Sequence, residues 1–503
     1  MIKPSFLFTD NGMLQREAEV KIFGECDLAQ LTVSYGDYKS EAQIENGRFT
    51  AILPKMPANL CHDLVFTSES EEVRFFNVIT GDIWLSGGQS NMEHPTFCSF
   101  YDEEDISRDE KIRVFTVPRR PYKDADLWGW HFYTVSHKDT PWMIYDEESA
   151  LTCSAVGAFF AKRLRRDTDV PIGILNCNLG ASTAEAWISK EALLSDDITR
   201  YALDRYEKNF GNIDKAAYHS RYLEFTEKLR RYHEENGSAL DVARREGIMT
   251  ALKGGFKIMI EQGPYYYQTP SNYRETMINR VIPFTLKGVI WYQGESNTHD
   301  NPPFCSHQGW VEAVMRTMFA DWRRAFENPT LPFYMVQLSA YGEGASGEAM
   351  SWEPVRSAQE NLANDEGIHT IVSLDVGEAD NIHPANKKPV GERLALAALS
   401  CEYGLDAAWE SPKIDKIEKT ANEYRLTFKN ATELTFTGEE PQGFFIRTAS
   451  GVRTAAKVRL EGNEVFIPLS EDVEEISFCA QNFAKCNVYN EHGLPPFPFV
   501  RSV

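Results

Sequence analysis

From about residue 14 to 78 the chain alternates apolar and polar positions in short runs, "EVKIFGE", "LTVSYGDYKSEAQIENGRFTAILP" and "HDLVFTSESEEVRFFNVI", broken by Gly, Asn and Pro turns. Strict alternation of this length marks half-buried strands, so residues 1–78 are expected to form a small antiparallel β domain. The same rhythm returns near 411–480 in "KIDKIEKTANEYRLTFKN", "GFFIRTA" and "NEVFIPLS", which predicts a second β module over 411–503 whose tail returns to the core. Between them the period changes. Continuous apolar runs ("DIWLS", "KIRVFTV", "PIGILN", "GVIWYQ", "FYMVQLS", "HTIVSLD") alternate with stretches whose apolar residues recur at three and four, such as "CSAVGAFFAKRLRRD" and "PVGERLALAALSCEY". That alternation predicts an α/β core over 79–410, a largely parallel sheet covered by helices on both faces. Residues 190–262 are charged and helix-prone, and are read as a helical insertion in that core.

In open parallel sheets, ligands bind at the carboxyl ends of the strands. Four of the apolar runs end in small and polar residues: Gly88-Gln89-Ser90-Asn91, Cys177-Asn178-Leu179-Gly180-Ala181-Ser182, Gln293-Gly294-Glu295-Ser296-Asn297, and Gly377-Glu378-Ala379-Asp380-Asn381-Ile382-His383. A lone "GQSN" would be an ordinary strand-to-helix turn with a capping side chain. Four such ends together point to a site. A serine hydroxyl is a weak nucleophile until a base lies within hydrogen-bond reach, and the base needs an acceptor that holds its tautomer. Among the 11 histidines, His383 alone follows an aspartate, Asp380, at three residues in a loop after a strand.

Composition narrows the classes of function. At 503 residues the chain exceeds the roughly 250–300 at which a single core stops growing, so two or three domains are expected. A hydrophobic content of 42% with 12% aromatics is that of a globular protein, and a formal charge of −22 repels phosphate backbones and anionic lipid, demoting nucleic acid and membranes as partners. Nine cysteines without a C-x-x-C pair signal neither a disulfide framework nor a zinc site. With no signal-peptide pattern at the start, reduced thiols and a cytoplasmic location are expected. No metal or other cofactor is called for.

The blocks "GDIWLSGGQSNMEHP", "PIGILNCNLGASTAEAWIS", "KGVIWYQGESN" and "EADNIHPANKKPVGERLALAAL" resemble, in order, the signature blocks of the sialate O-acetylesterase-like SGNH hydrolases. The likeness extends to "LFTDNGMLQREAEVKIFGE" and "NVYNEHGLPPFPF" near the two ends. It implies a flavodoxin-like SGNH core with Ser90 as nucleophile, His383 as general base and acid, and Asp380 as the orienting carboxylate. It also implies an oxyanion hole made by the amides of Ser90 and Gly180 and the side chain of Gln293. The usual W-G-G-T of the second block is Leu179-Gly180-Ala181-Ser182 here, so substrate preference is expected to differ. The third block carries an acid, Glu295, which is the alternative partner for the histidine; Asp380 is favoured because D-x-x-H is the commoner arrangement.

The resemblance implies an enzyme that removes O-acetyl groups from carbohydrates, with O-acetyl sialic acid and acetylated hemicellulose oligosaccharides as competing substrates. Asn91, Trp187 and His94 are expected near the substrate, and Trp128, Trp130, Trp142, the run Tyr265-Tyr266-Tyr267 and His299 are further candidates for it. Aromatic side chains are as often packing residues as sugar platforms. Glu185 is read as structural. Two other classes compete: a carbohydrate-binding protein on a degenerate scaffold, against which all the expected catalytic residues are present, and a metal-dependent deacetylase, for which no H-x-x-x-H spacing is found.

Overall fold

The computed structural model describes residues 1–118, 141–236, 268–299, 301–342, 351–469 and 473–503. The chain divides into two compact units, Met1–Trp291 with Ala313–Phe333, and Tyr292–Glu312 with Tyr334–Val503. The architecture is α/β with a mixed sheet and additional antiparallel sheets.

The first unit is organised by one long strand, β1 (Glu72–Gly88). Its first half alternates exposed and half-buried positions and pairs antiparallel with Cys61–Thr67. Its second half is buried throughout and pairs parallel with β3 (Ile172–Asn178), Asp82 facing Ile172 and Gly88 facing Asn178. β2 (Asp109–Thr116) runs parallel on the far side of β3 and takes Met143–Tyr145 antiparallel at its edge, which makes the sheet mixed. On its other side β1 is followed by β4 (Gly288–Tyr292). The pattern has a direct cause: a strand covered on both faces reads as a continuous apolar run, and one with a wet face alternates. Ile83, Trp84 and Leu85 are wholly buried, each such side chain contributing about 1.5–3 kcal/mol. Gly288 lets the neighbouring strand approach, since a Cβ there would lie 2.5 Å from Trp84 Cζ3.

The N-terminal residues form antiparallel sheets as expected, including the order Ile2–Pro4, Val20–Cys26, Arg48–Leu53, Gln43–Glu45. Because β1 is continuous from residue 72 to 88, no break in the backbone falls at 78/79. Of the expected insertion, helices cover Lys190–Leu193, Asp197–Phe210 and Lys215–Asn236. Residues 237–262 lie outside the described residues.

The second unit contains the strands Phe333–Val336 and Ile368–Ile371 and the helices Trp352–Leu362 and Lys388–Tyr403, where the apolar patterns placed them. The last helix stops at Gly404, which takes the left-handed conformation (φ 64°) that a C-terminal cap favours. Residues 413–502 form three further small antiparallel sheets around a core that includes Leu426, Phe428, Phe444, Phe478 and Phe499. No helix among the described residues is long and apolar enough to cross a membrane.

Candidate active site

The expected site residues divide between the two units. In the first unit β1 delivers its carboxyl end at Gly87-Gly88, where Gly88 sits at φ +136°, a conformation that suits glycine. Gln89 is extended, and a single helical turn, α1 (Ser90–Glu93), begins immediately after it. Every residue from 78 to 96 is buried except Ser90, which is partly exposed. The hydroxyl thus stands at the one open point of a buried run. The amides of Met92 and Glu93 donate to the carbonyl of Gln89 at 2.9 Å, and that of His94 to Ser90 O at 2.8 Å, while the amide of Ser90 donates to no acceptor among the described residues.

The parallel register brings the second block alongside. With Asn178 opposite Gly88, the turn Leu179–Ser182 leaves β3 next to Ser90, and Leu179 donates its amide to Gly88 O at 2.9 Å. A Cβ on Gly180 would lie 3.5 Å from Ser90 Cβ. The Gly180 amide, expected to be an oxyanion donor, instead donates to Oε2 of Glu93 at 2.6 Å. Glu93 is buried at 3% exposure, and the sequence reading passed over it although it stands three residues after Ser90.

Three of the residues weighed as substrate contacts are buried. Trp187 is fully buried; its Nε1 donates to Ser182 Oγ at 2.9 Å and its ring lies 5.1 Å from that of Tyr273 and 5.9 Å from that of Trp291. It offers no face to a sugar. His94 is buried with Nε2 3.1 Å from Cys98 O. Trp142 is buried and donates from Nε1 to Leu7 O at 2.9 Å. Asn91 is buried within α1, a place suited to shaping the turn. Glu185 is buried with Arg205 at 3.6 Å, in keeping with a structural role. Trp128, Trp130 and Tyr265-Tyr266-Tyr267 lie outside the described residues.

In the second unit the third block is rigidly held. Gln293 is buried and donates from Nε2 to Asn297 Oδ1 at 2.6 Å, while its carbonyl accepts from Gln359 Nε2 at 3.0 Å. Glu295 is buried, and its carbonyl accepts from Thr298 Oγ1 at 2.8 Å. His299 is exposed.

The histidine loop leaves Gly377 packed so tightly that a Cβ would meet Ala340 O at 2.2 Å. It is then folded by its own side chains. Asn381 Oδ1 accepts from the His383 amide, and Asn381 Nδ2 donates to both His383 O and Glu378 Oε2, all at 3.0 Å. Glu378 Oε1 accepts from the Ala385 amide at 2.9 Å, and the fully buried Lys387 donates from Nζ to Pro384 O at 2.7 Å. Burial pushes Lys387 down to about 7, against the pull of Glu295 and Glu378. Burial, and then the Lys387 charge, push His383 down to about 3, so its imidazole is neutral at neutral pH. Asp380, expected to orient His383, is exposed and makes no hydrogen bond among the described residues. The loop is folded by Asn381 and Glu378, and the Asp380 carboxylate is left in solvent. Neither Glu378, Asn381 nor Lys387 was singled out from the sequence, although all lie within five residues of His383.

Residues 241–400 match the family model described as "Carbohydrate esterase, sialic acid-specific acetylesterase". The chain is 25% identical over 408 residues to the sialate O-acetylesterase of Rattus norvegicus, covering 75% of this chain and 67% of that protein. With the Homo sapiens sialate O-acetylesterase it shares 23% over 378 residues, 70% of this chain and 59% of that one. A crystal structure of a carbohydrate acetylesterase from Xanthomonas citri superposes with a TM-score of 0.75 at 25% identity, over 99% of both chains.

Proposed function

We propose that this chain, an esterase related to the sialate O-acetylesterases, removes O-acetyl groups from carbohydrates with Ser90 as nucleophile and His383 as base, on a flavodoxin-like SGNH core. The observation that carries the reading is the setting of Ser90: a hydroxyl at the carboxyl end of a buried parallel strand, open where its neighbours are closed. In this mechanism Ser90 Oγ attacks the acetyl carbonyl carbon as His383 takes its proton. The tetrahedral oxyanion is met by the open amide of Ser90 and by Gln293, which Asn297 holds in place. Collapse expels the sugar oxygen, which takes the proton from His383 and leaves an acetyl-serine. Water then attacks the acetyl group with His383 again as base, releasing acetate and restoring the serine.

A histidine kept neutral by its surroundings is in the unprotonated form that a general base requires, and an orienting carboxylate must raise its basicity for it to take the proton. Of the two acids weighed for orienting it, Glu295 is buried and acts electrostatically on Lys387, whereas Asp380 is solvated. The role is assigned to Glu295. The substrate is an acetylated mono- or oligosaccharide, and a cytoplasmic location accompanies this reading, checked by fractionation. The test is acetate release from O-acetyl sialic acid and from acetylated xylo-, manno- and xyloglucan oligosaccharides. Release by the wild-type protein that disappears in Ser90→Ala and in His383→Ala supports the mechanism. Equal release by those variants removes it.

A further inference from the structure

The amides of the Leu179–Ser182 turn can be accounted for one by one. Leu179 donates to Gly88 O at 2.9 Å, Gly180 to Glu93 Oε2 at 2.6 Å, and Ser182 to Leu179 O at 3.4 Å. Ala181, exposed and at φ +58°, donates to no acceptor among the described residues. A backbone amide drawn out of water needs an acceptor, and a buried carboxylate needs donors, so the Glu93–Gly180 bond serves the part-buried amide and one oxygen of the carboxylate. Glu93 also lies in the same helical turn as Ser90, so this one bond ties the second-block turn to the segment that carries the nucleophile. The fit leaves no spare room. A Cβ on Gly180 would stand 3.1 Å from Glu93 Oε2.

We infer that Glu93 is a positioning residue: its carboxylate clamps the amide of Gly180, sets the turn against Ser90, and leaves the amide of Ala181 as the turn's donor to the oxyanion. The inference rests on the reading of Ser90 as nucleophile. Glu93 acts here as a hydrogen-bond acceptor of fixed reach. An amide oxygen on the same stem can serve in its place, whereas a methyl cannot.

The test measures kcat and KM for acetate release from an acetylated oligosaccharide, with the rate of Ser90 labelling by a fluorophosphonate, whose phosphoryl oxygen uses the same donors. Glu93→Ala is expected to lower kcat and the labelling rate about 10- to 100-fold, the loss expected for a misplacement of about 1 Å, with KM little changed. Glu93→Gln is expected to restore most of both. Should Glu93→Ala not fold, Gly180→Ala, which keeps the carboxylate and crowds it, is expected to lower kcat in the same way. Wild-type kcat in Glu93→Ala or Gly180→Ala overturns the inference, as does a Glu93→Gln variant as impaired as Glu93→Ala. Inactivity of Ser90→Ala alongside either result shows that only the inference has failed; full activity of Ser90→Ala shows that the nucleophile itself was misassigned.

Discussion

The serine turn and the histidine loop are held by different means. Ser90 is placed by backbone: a buried strand, a parallel register with β3, and a helical turn whose amides close on Gln89. His383 is placed by side chains: Asn381 brackets its amide and carbonyl, Glu378 reaches Ala385, and Lys387 holds Pro384 O. Backbone ladders tolerate most side-chain changes along them, but a loop folded by three polar side chains has three separate points of failure. The contrast teaches that substitutions near the serine should act on chemistry, and substitutions near the histidine on geometry and pH response as well.

The largest effects test the two groups proposed to react. Ser90→Ala and His383→Ala are each expected to reduce kcat by about 10⁴-fold or more while leaving thermal stability close to that of the wild type, measured by acetate release and by a melting curve. Next comes the carboxylate proposed to orient the histidine. Glu295→Gln is expected to lower kcat by about 10²- to 10⁴-fold, and Asp380→Asn by less than about threefold, read as a ratio from parallel assays. A reversal of that order would return the orienting role to Asp380 and show that the loop rearranges when substrate binds.

The loop's own supports are the smaller test. Asn381→Ala removes both brackets on His383, and is expected to lower kcat by about tenfold with only a modest fall in melting temperature. Lys387→Met sharpens the comparison through pH. The Lys387 charge opposes protonation of His383, so without it the acid limb of kcat/KM should move to higher pH. Stability should change too. The lysine titrates near 7 when folded and near 10.5 when unfolded, so between those values the unfolded chain binds more protons and stability rises with pH. That contribution is complete above about 10.5 and is lost as pH falls to about 7; the methionine variant should lack this slope in melting temperature.

Much of this arrangement was legible in the sequence, for reasons that differ by residue. The strands were visible because a strand buried on both faces must be apolar along its length, as in Ile83-Trp84-Leu85 and Ile172–Asn178. Ser90 was visible because its polar turn follows such a strand directly. The burial of Trp187 and His94 was not legible because it depends on neighbours remote in sequence: Tyr273 and Trp291 pack on the one, and nothing in "EAW" announces them. Asp380 was chosen by spacing, but its exposure follows from how Asn381 and Glu378 fold the loop. Glu93 was overlooked because its partner is a backbone amide 87 positions away, and backbone amides carry no letter in a sequence.

The continuity of β1 bears on how the chain matures. During synthesis its first half can pair with Cys61–Thr67 as soon as both emerge, whereas Ile83-Trp84-Leu85 must wait for Ile172–Asn178 and, later still, for Gly288–Tyr292. For that interval the most apolar part of the sheet is an unpaired edge, the kind of surface on which nascent chains associate wrongly. The antiparallel hairpin beside Glu72–Ile79, with Met13–Gln15 paired parallel at Ile79–Gly81, therefore serves as an early anchor, fixing the strand's direction before Ile172–Asn178 and Gly288–Tyr292 exist.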